Sequence, residues 1–101
     1  MSKNDEGKYQ PTLVYRSLIV AVSKVREYGI KKYGHSEDWR TTPSIRHFDA
    51  ALRHIYAHLA GEMTDADSGL THLAHAASNI MFEIERIESK EVPDAVKDIS
   101  H

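Results

Sequence analysis

The sequence predicts an all-α protein, a small antiparallel helical bundle of three main helices completed by homo-oligomerisation. Three observations carry this reading. Apolar residues recur at a helical period in three separate stretches, no stretch alternates with the period of two of a half-buried strand, and Gly and Pro stand where the stretches break. Three amphipathic helices in a chain of 101 residues make only a small core, which gains from covering its remaining apolar faces with a second copy.

The helices follow in order. Residues 1–10 are polar and predicted to form a flexible arm, 11–90 a single helical domain, and 91–101 a loose tail around Pro93. The first helix is expected over 12–33, with Pro11 in its first turn and Val14, Leu18, Ile19, Val22 and Val25 on one face. Gly29 or Gly34 is suited to end it, and Lys31 and Lys32 suit the negative end of its dipole. The loop 34–43, GHSEDWRTTP, holds the single Trp, Trp39. Ser44 is the expected N-cap of a second helix over 44–61, with Ile45, Phe48, Leu52, Ile55 and Leu59 on its apolar face. Ser68 is the expected N-cap of a third over 69–89, with Leu73, Ala77, Ile80, Ile84 and Ile87. The predicted core comprises Leu18, Val22, Phe48, Leu52, Ile55, Leu73, Ile80 and Ile84.

Composition removes several classes of function. At 41% hydrophobic and 28% charged the chain has the balance of an ordinary globular protein. A net charge of −2 disfavours nucleic-acid binding through bulk charge. The absence of cysteine excludes disulfides, thiolate metal sites and Cys nucleophiles, and fits a reducing compartment. The polar N-terminus has no signal-peptide pattern and no apolar run approaches the ~18 residues of a membrane span, so a cytoplasmic protein without membrane contact is expected.

Histidine is in excess, and five of the seven lie between His47 and His75. On the second helix His47, Ala51, His54 and His58 form a narrow stripe beside the apolar face, which Glu62 would extend. On the third helix His72, His75, Asn79 and Glu83 form the matching stripe, extended by Arg86. Two antiparallel helices bring these stripes together at their joining turn, GEMTDADS. A half-buried polar group without a partner costs about 1–3 kcal/mol, so the stripes must satisfy one another or hold something. One reading is a His–carboxylate network that fixes helix register. The other is a site for a divalent cation, a phosphorylated ligand or both, favoured because acceptors converge with few cationic partners.

Carboxylates offer hard oxygen ligands and imidazole a borderline nitrogen, so the candidate metal ligands are His54, Glu62, Asp65, His72 and His75. Magnesium, manganese and zinc all remain open. His54, Glu62, Asp67, His72 and His75 are expected around one polar cavity, with Arg53 and Asn79 at its edge. Glu62 and Asp67 are the candidate catalytic carboxylates, Glu62 as the group orienting an attacking water. Lys31, Lys32 and Arg53 are placed to neutralise phosphate charge. Trp39 either lids the small core or stacks on a base with Arg40 near a phosphate.

The stretches EYGIKKYGHSEDWR, ALRHIYAHLAGE and DADSGLTHLAHAASN together resemble a phage-encoded family, the dATP/dGTP diphosphohydrolase N-terminal family. Its pattern runs YGxxKYG, a Trp, RHxxA, GExxDxESG and HLAHAxxN, and the resemblance spans roughly residues 7 to 87. The matching positions are Tyr28, Gly29, Lys32, Tyr33, Gly34, Trp39, Arg53, His54, Gly61, Glu62, Asp65, Ser68, Gly69, His72, His75 and Asn79; Asp67 stands where the family more often has Glu. The resemblance implies a relative of MazG-type pyrophosphohydrolases, although here the ExxD spacing of Glu62 and Asp65 falls in a turn. It implies a metal-dependent nucleotide pyrophosphohydrolase in the host cytoplasm, converting a purine deoxynucleoside triphosphate to monophosphate and pyrophosphate. Lys32, Tyr33, Trp39, Arg53 and Asn79 are its candidate nucleotide-binding residues. Two other functions stay open: a non-catalytic nucleotide-binding module, serving as a sponge for a nucleotide signal or a regulatory subunit, and a helical adaptor whose polar stripes only set register.

Overall fold

A computed structural model describes residues 6–36 and 38–91, without the side chains of residues 90 and 91. The first half of the expected arm and the tail from residue 92 lie outside the described residues. The chain is all-α. Helix α1 runs over Arg16–Tyr33, α2 over Ser44–Leu59 and α3 over His72–Glu91, with short 3-10 turns at Pro11–Leu13 and Asp38–Thr41. Among the described residues the β-structure is one isolated antiparallel bridge, Thr64 to Thr71.

The boundaries differ from expectation where local hydrogen bonds decide them. Pro11 starts a single 3-10 turn closed by the Val14 N–H on the Pro11 carbonyl, and α1 begins only at Arg16. Gly34, and not Gly29, ends α1: at φ 87° it takes the left-handed conformation that glycine adopts without strain, and its N–H donates to the Ile30 carbonyl. Ser44 is already helical and Pro43 takes the capping position, without a side-chain cap. Thr71 replaces Ser68 at the start of α3, its Oγ1 accepting the Ala74 N–H at 3.1 Å. Ser68 instead folds the preceding turn, its Oγ accepting the Leu70 N–H at 3.1 Å.

Helix α3 is the middle element, packing against α2 most extensively and against α1 on another side. What it buries there differs from the predicted core. Within one copy the buried residues are Val25, Trp39, Ala51, Ala74 and Ala76 with His47, His72, Ser78 and Glu83. The large aliphatics expected inside are half out: Leu18 is 47% exposed, Leu52 45%, Leu73 49% and Ile84 54%. Phe48 and Ile80 are exposed too, whereas Val22 and Ile55 are half-buried. Small side chains allow the helices to approach closely at the seam, and the larger ones are left to one side. The polar stripes, expected at the rim, therefore form much of the seam itself.

At the end of the α2–α3 seam away from their joining turn, buried Glu83 accepts hydrogen bonds from His47 and pairs with Arg86 at 3.2 Å. Burial pushes the Glu83 carboxyl up, but hydrogen bonds from His47 and Ser44 and the charge of Arg86 outweigh it and hold it below the ordinary value. The Arg86 guanidinium also donates to the Trp39 and Thr42 carbonyls at 3.3 and 2.7 Å, tying the 3-10 turn to α3. The Trp39 ring stacks on Phe82 with centroids 5.0 Å apart, and the Arg40 guanidinium covers it at 4.5 Å. Trp39 thus has the placement of a core lid.

Candidate functional site

The α2–α3 turn is a tight, hydrogen-bonded loop built around Asp65. The Asp65 N–H donates to the Leu70 carbonyl at 2.8 Å, and the Gly69 N–H, at φ 72°, donates back to the Asp65 carbonyl at 2.8 Å. Asp65 Oδ2 accepts the backbone N–H groups of Asp67 and Ser68 at 3.1 and 3.0 Å. The Ser68 hydrogen bond is the main reason the Asp65 carboxyl lies below its ordinary value, so it is a carboxylate throughout the neutral range.

Across the seam the imidazoles converge. His54 Nδ1 and His72 Nδ1 are 2.8 Å apart, and His72 Nε2 lies 3.0 Å from Glu62 Oε1. His72 Nε2–H donates to Glu62, which leaves its Nδ1 edge facing His54. This is the carboxylate–histidine arrangement that commonly stands behind a metal ligand. His54 stacks on His75 with centroids 4.6 Å apart and an interplanar angle of 10°. His75 Nε2 in turn meets Ser68 Oγ at 2.7 Å. Burial is the largest cause holding both His54 and His75 below the ordinary imidazole value, and the neighbouring imidazoles add to it. Both are therefore neutral at pH 7, the form a cation requires.

His54, Asp65 and His72 each present a ligand atom within 4.8 Å of the others, a set compatible with a divalent cation. Of the five candidate ligands, these three form the cluster. Glu62 stands behind His72, and His75 lies against the His54 ring. Beside the cluster is a cavity of about 220 Å³ lined by His54, Asp65, Asp67 and His75 together with Val25, Tyr28, Lys32 and Tyr33 of α1. The Lys32 ammonium lies 5.6 Å from the Tyr28 ring centroid and 5.4 Å from that of Tyr33.

Helix α1 therefore supplies one wall of the site, bringing Lys32 and Tyr33 to the carboxylates and imidazoles. Tyr28 was not singled out for the site from sequence, although its spacing of four from Lys32 puts both on one helical face. Its edge meets the His75 ring at a centroid distance of 6.2 Å. Asn79 is spent on the helix, its side-chain amide donating to the His75 carbonyl at 3.0 Å. Trp39 lines a different cavity, with Arg40, Arg86 and Ser89. Arg53, next to His54, is exposed and is not among the residues lining the site cavity.

Fold and site together define a small helical protein with a His–carboxylate cluster opening on a cavity with a cationic and aromatic wall. The chain belongs to the family described as dATP/dGTP diphosphohydrolase, N-terminal, whose model matches residues 1–95. It is similar to a protein of Salmonella phage PMBT28 named dATP/dGTP diphosphohydrolase, with 35% identity over 80 residues. That match covers 79% of this chain and 27% of the relative, so the chain spans about a quarter of the phage protein's length. No solved structure matches the chain. Among the described residues no helix is long and apolar enough to cross a membrane.

Proposed function

We propose that this domain is a cation-dependent nucleotide pyrophosphohydrolase acting on purine deoxynucleoside triphosphates to release monophosphate and pyrophosphate. The observation that carries the reading is the convergence of His54, Asp65 and His72, of which His54 and Asp65 also line a cavity walled by Lys32, Tyr28 and Tyr33. The purine and deoxyribose preference rests on the family and on the name of the phage relative.

The imidazole of His54, kept neutral at pH 7 by burial, the imidazole of His72 and the Asp65 carboxylate fit a divalent cation, as the residues that would hold it. A bound cation supplies charge neutralisation at phosphate oxygens and acidifies water. The remaining roles belong to the chain's own side chains. Lys32 Nζ draws phosphate oxygens toward the cavity, and the Tyr28 and Tyr33 rings flank them. Asp67, exposed on the cavity wall, accepts the proton of an attacking water. Glu62 fixes the orientation and tautomer of His72 through Nε2 and so acts as a positioning residue. A cavity of about 220 Å³ is below the ~300–1,000 Å³ usual for a whole small-molecule ligand. It suits a phosphate chain with the nucleoside partly in solvent.

One observation favours a second reading. The match covers 27% of the phage protein whose name states the activity, so a non-catalytic nucleotide-binding module is the second reading. Incubating the protein with each dNTP and Mg, Mn or Zn, and resolving products by anion exchange, separates the two. The hydrolase reading expects dNMP and pyrophosphate, abolished by chelator and reduced at least tenfold in Asp67→Asn. Nucleotide binding by calorimetry without any product would establish the module instead.

A further inference from the structure

Helix α3 has two unlike sides. Its buried residues are His72, Ala74, Ala76, Ser78 and Glu83, of which His72 and Glu83 meet His54 and His47 of α2, and His75 lines the site cavity. The remaining stripe, at the helical spacing of Leu73, Ala77, Ile80, Ile84 and Ile87, is wholly apolar. Ile80 is 43% exposed and Ile87 59%. A groove of about 500 Å³ runs along it, lined by Leu18, Ile19 and Val22 of α1 and Ala77, Ile80, Met81 and Ile84 of α3, with Ser23 and Glu85 as its polar members. Helix α2 runs antiparallel to α3, and its turn of 100° per residue carries Phe48 and Leu52 to the same side. One side of the three-helix layer thus carries the imidazoles and carboxylates, and the opposite side is greasy.

We propose that this apolar side packs against the same side of a second copy of the chain, leaving both candidate sites facing outward. Leu18, Phe48, Leu52, Leu73, Ile84 and Ile87 each keep about half of their surface uncovered, and large apolar side chains exposed together on one side mark an interaction surface. Among the described residues no large side chain is fully buried within one copy, so they offer little core to offset the entropy of folding. A two-fold axis through this side sets apolar stripe against apolar stripe, with Ala77 allowing the two α3 helices to approach. Exposed Glu85 and Glu88 border the stripe, which disfavours an anionic lipid surface as the occupant.

Sedimentation equilibrium at micromolar and at hundreds of micromolar concentration tests the pairing. The expected mass is twice 11.5 kDa. Ile84→Lys, at a side chain 54% exposed in a single copy, should be tolerated by the isolated fold yet raise the dimer dissociation constant about a hundredfold or more. Circular dichroism checks that the helices persist. Since the chain has no cysteine, Ala77→Cys should give a disulfide-linked dimer on mild oxidation, whereas exposed Lys31→Cys should not. A single-chain mass at every concentration overturns the proposal, including the case of a monomer that binds vesicles instead. So does a dimer whose mass is unchanged in Ile84→Lys and which cross-links through Lys31→Cys but not Ala77→Cys.

Discussion

Removing Glu62 should weaken a cation it does not touch. Its carboxylate accepts the His72 Nε2–H at 3.0 Å, while the cluster of potential ligand atoms comprises His54, Asp65 and His72. The Glu62 side chain is 60% exposed, so in the metal-free protein Glu62→Ala should cost at most about 1 kcal/mol. Partners that orient a histidine ligand are typically worth 10–100-fold in metal affinity, or about 1.4–2.7 kcal/mol. At a free cation concentration of about 100 times the wild-type dissociation constant, the wild type gains about 2.7 kcal/mol. The variant at the same concentration should gain only about 0.4–1.4 kcal/mol. For a domain of this size these become melting shifts of roughly 10–20 °C in the wild type and roughly 2–11 °C in Glu62→Ala. Scanning calorimetry with and without Mn or Zn reads both. Glu62→Gln, which keeps an acceptor for His72, should fall between them. Equal cation-induced shifts in wild type and Glu62→Ala would refute the positioning role. A large loss of metal-free stability would instead favour a purely structural His–carboxylate network.

Three further outcomes follow from the geometry. His54 and His75 titrate below 6.5 when folded, so the unfolded chain binds more protons in that range; their contribution to stability is complete above about pH 6.5 and declines as pH falls toward the folded values. Asp65 and Glu83, also lowered, add a second decline below their ordinary values of 3.8 and 4.5; a melting temperature flat from pH 7.5 to 5.5 would contradict the first decline. Glu83→Ala leaves His47 and Arg86 without their shared acceptor and should cost about 3–5 kcal/mol, with a red-shifted emission from Trp39 as its turn loses the Arg86 anchor. A loss below about 1 kcal/mol with unchanged emission would show that the buried network matters little. Lys32→Ala should raise KM for a triphosphate about tenfold with kcat nearly unchanged, because an ammonium that binds phosphate equally in ground and transition states contributes to uniform binding; an unchanged KM would remove Lys32 from the site.

The helices were legible because their signals are local. Apolar period, Pro43 before α2 and Gly34 after α1 each act within a turn of the chain. The start of α3 was misplaced because Ser ranks above Thr as a capping residue in sequence, and only the Asp65-centred loop commits Ser68 elsewhere and leaves the cap to Thr71. The pairing of His54 with His72 and of Glu62 with His72 was readable from two stripes meeting at one turn. Which groups stand directly around a cation and which stand behind them was not, since that depends on ring orientation. The α1 wall was only partly visible. Lys32 is visible as a cation near the end of α1 and Tyr33 through the family motif, but sequence periodicity does not say which face of α1 meets the α2–α3 turn. The core was misassigned for a related reason: an apolar stripe marks a surface to be covered without saying whether the cover is the same copy. Small Ala51, Ala74, Ala76 and Ser78 took the seam, and Leu73, Ile80 and Ile84 were left outside it.

Isothermal titration of Mn or Zn into chelator-treated protein tests the candidate site most directly, using the wild type and the His54→Ala, His72→Ala double variant. One cation bound per chain in the wild type, and none in the double variant at the same concentrations, is the result expected from the cluster of His54, Asp65 and His72. Equal binding by both proteins, or no cation bound by the folded wild type, would contradict it.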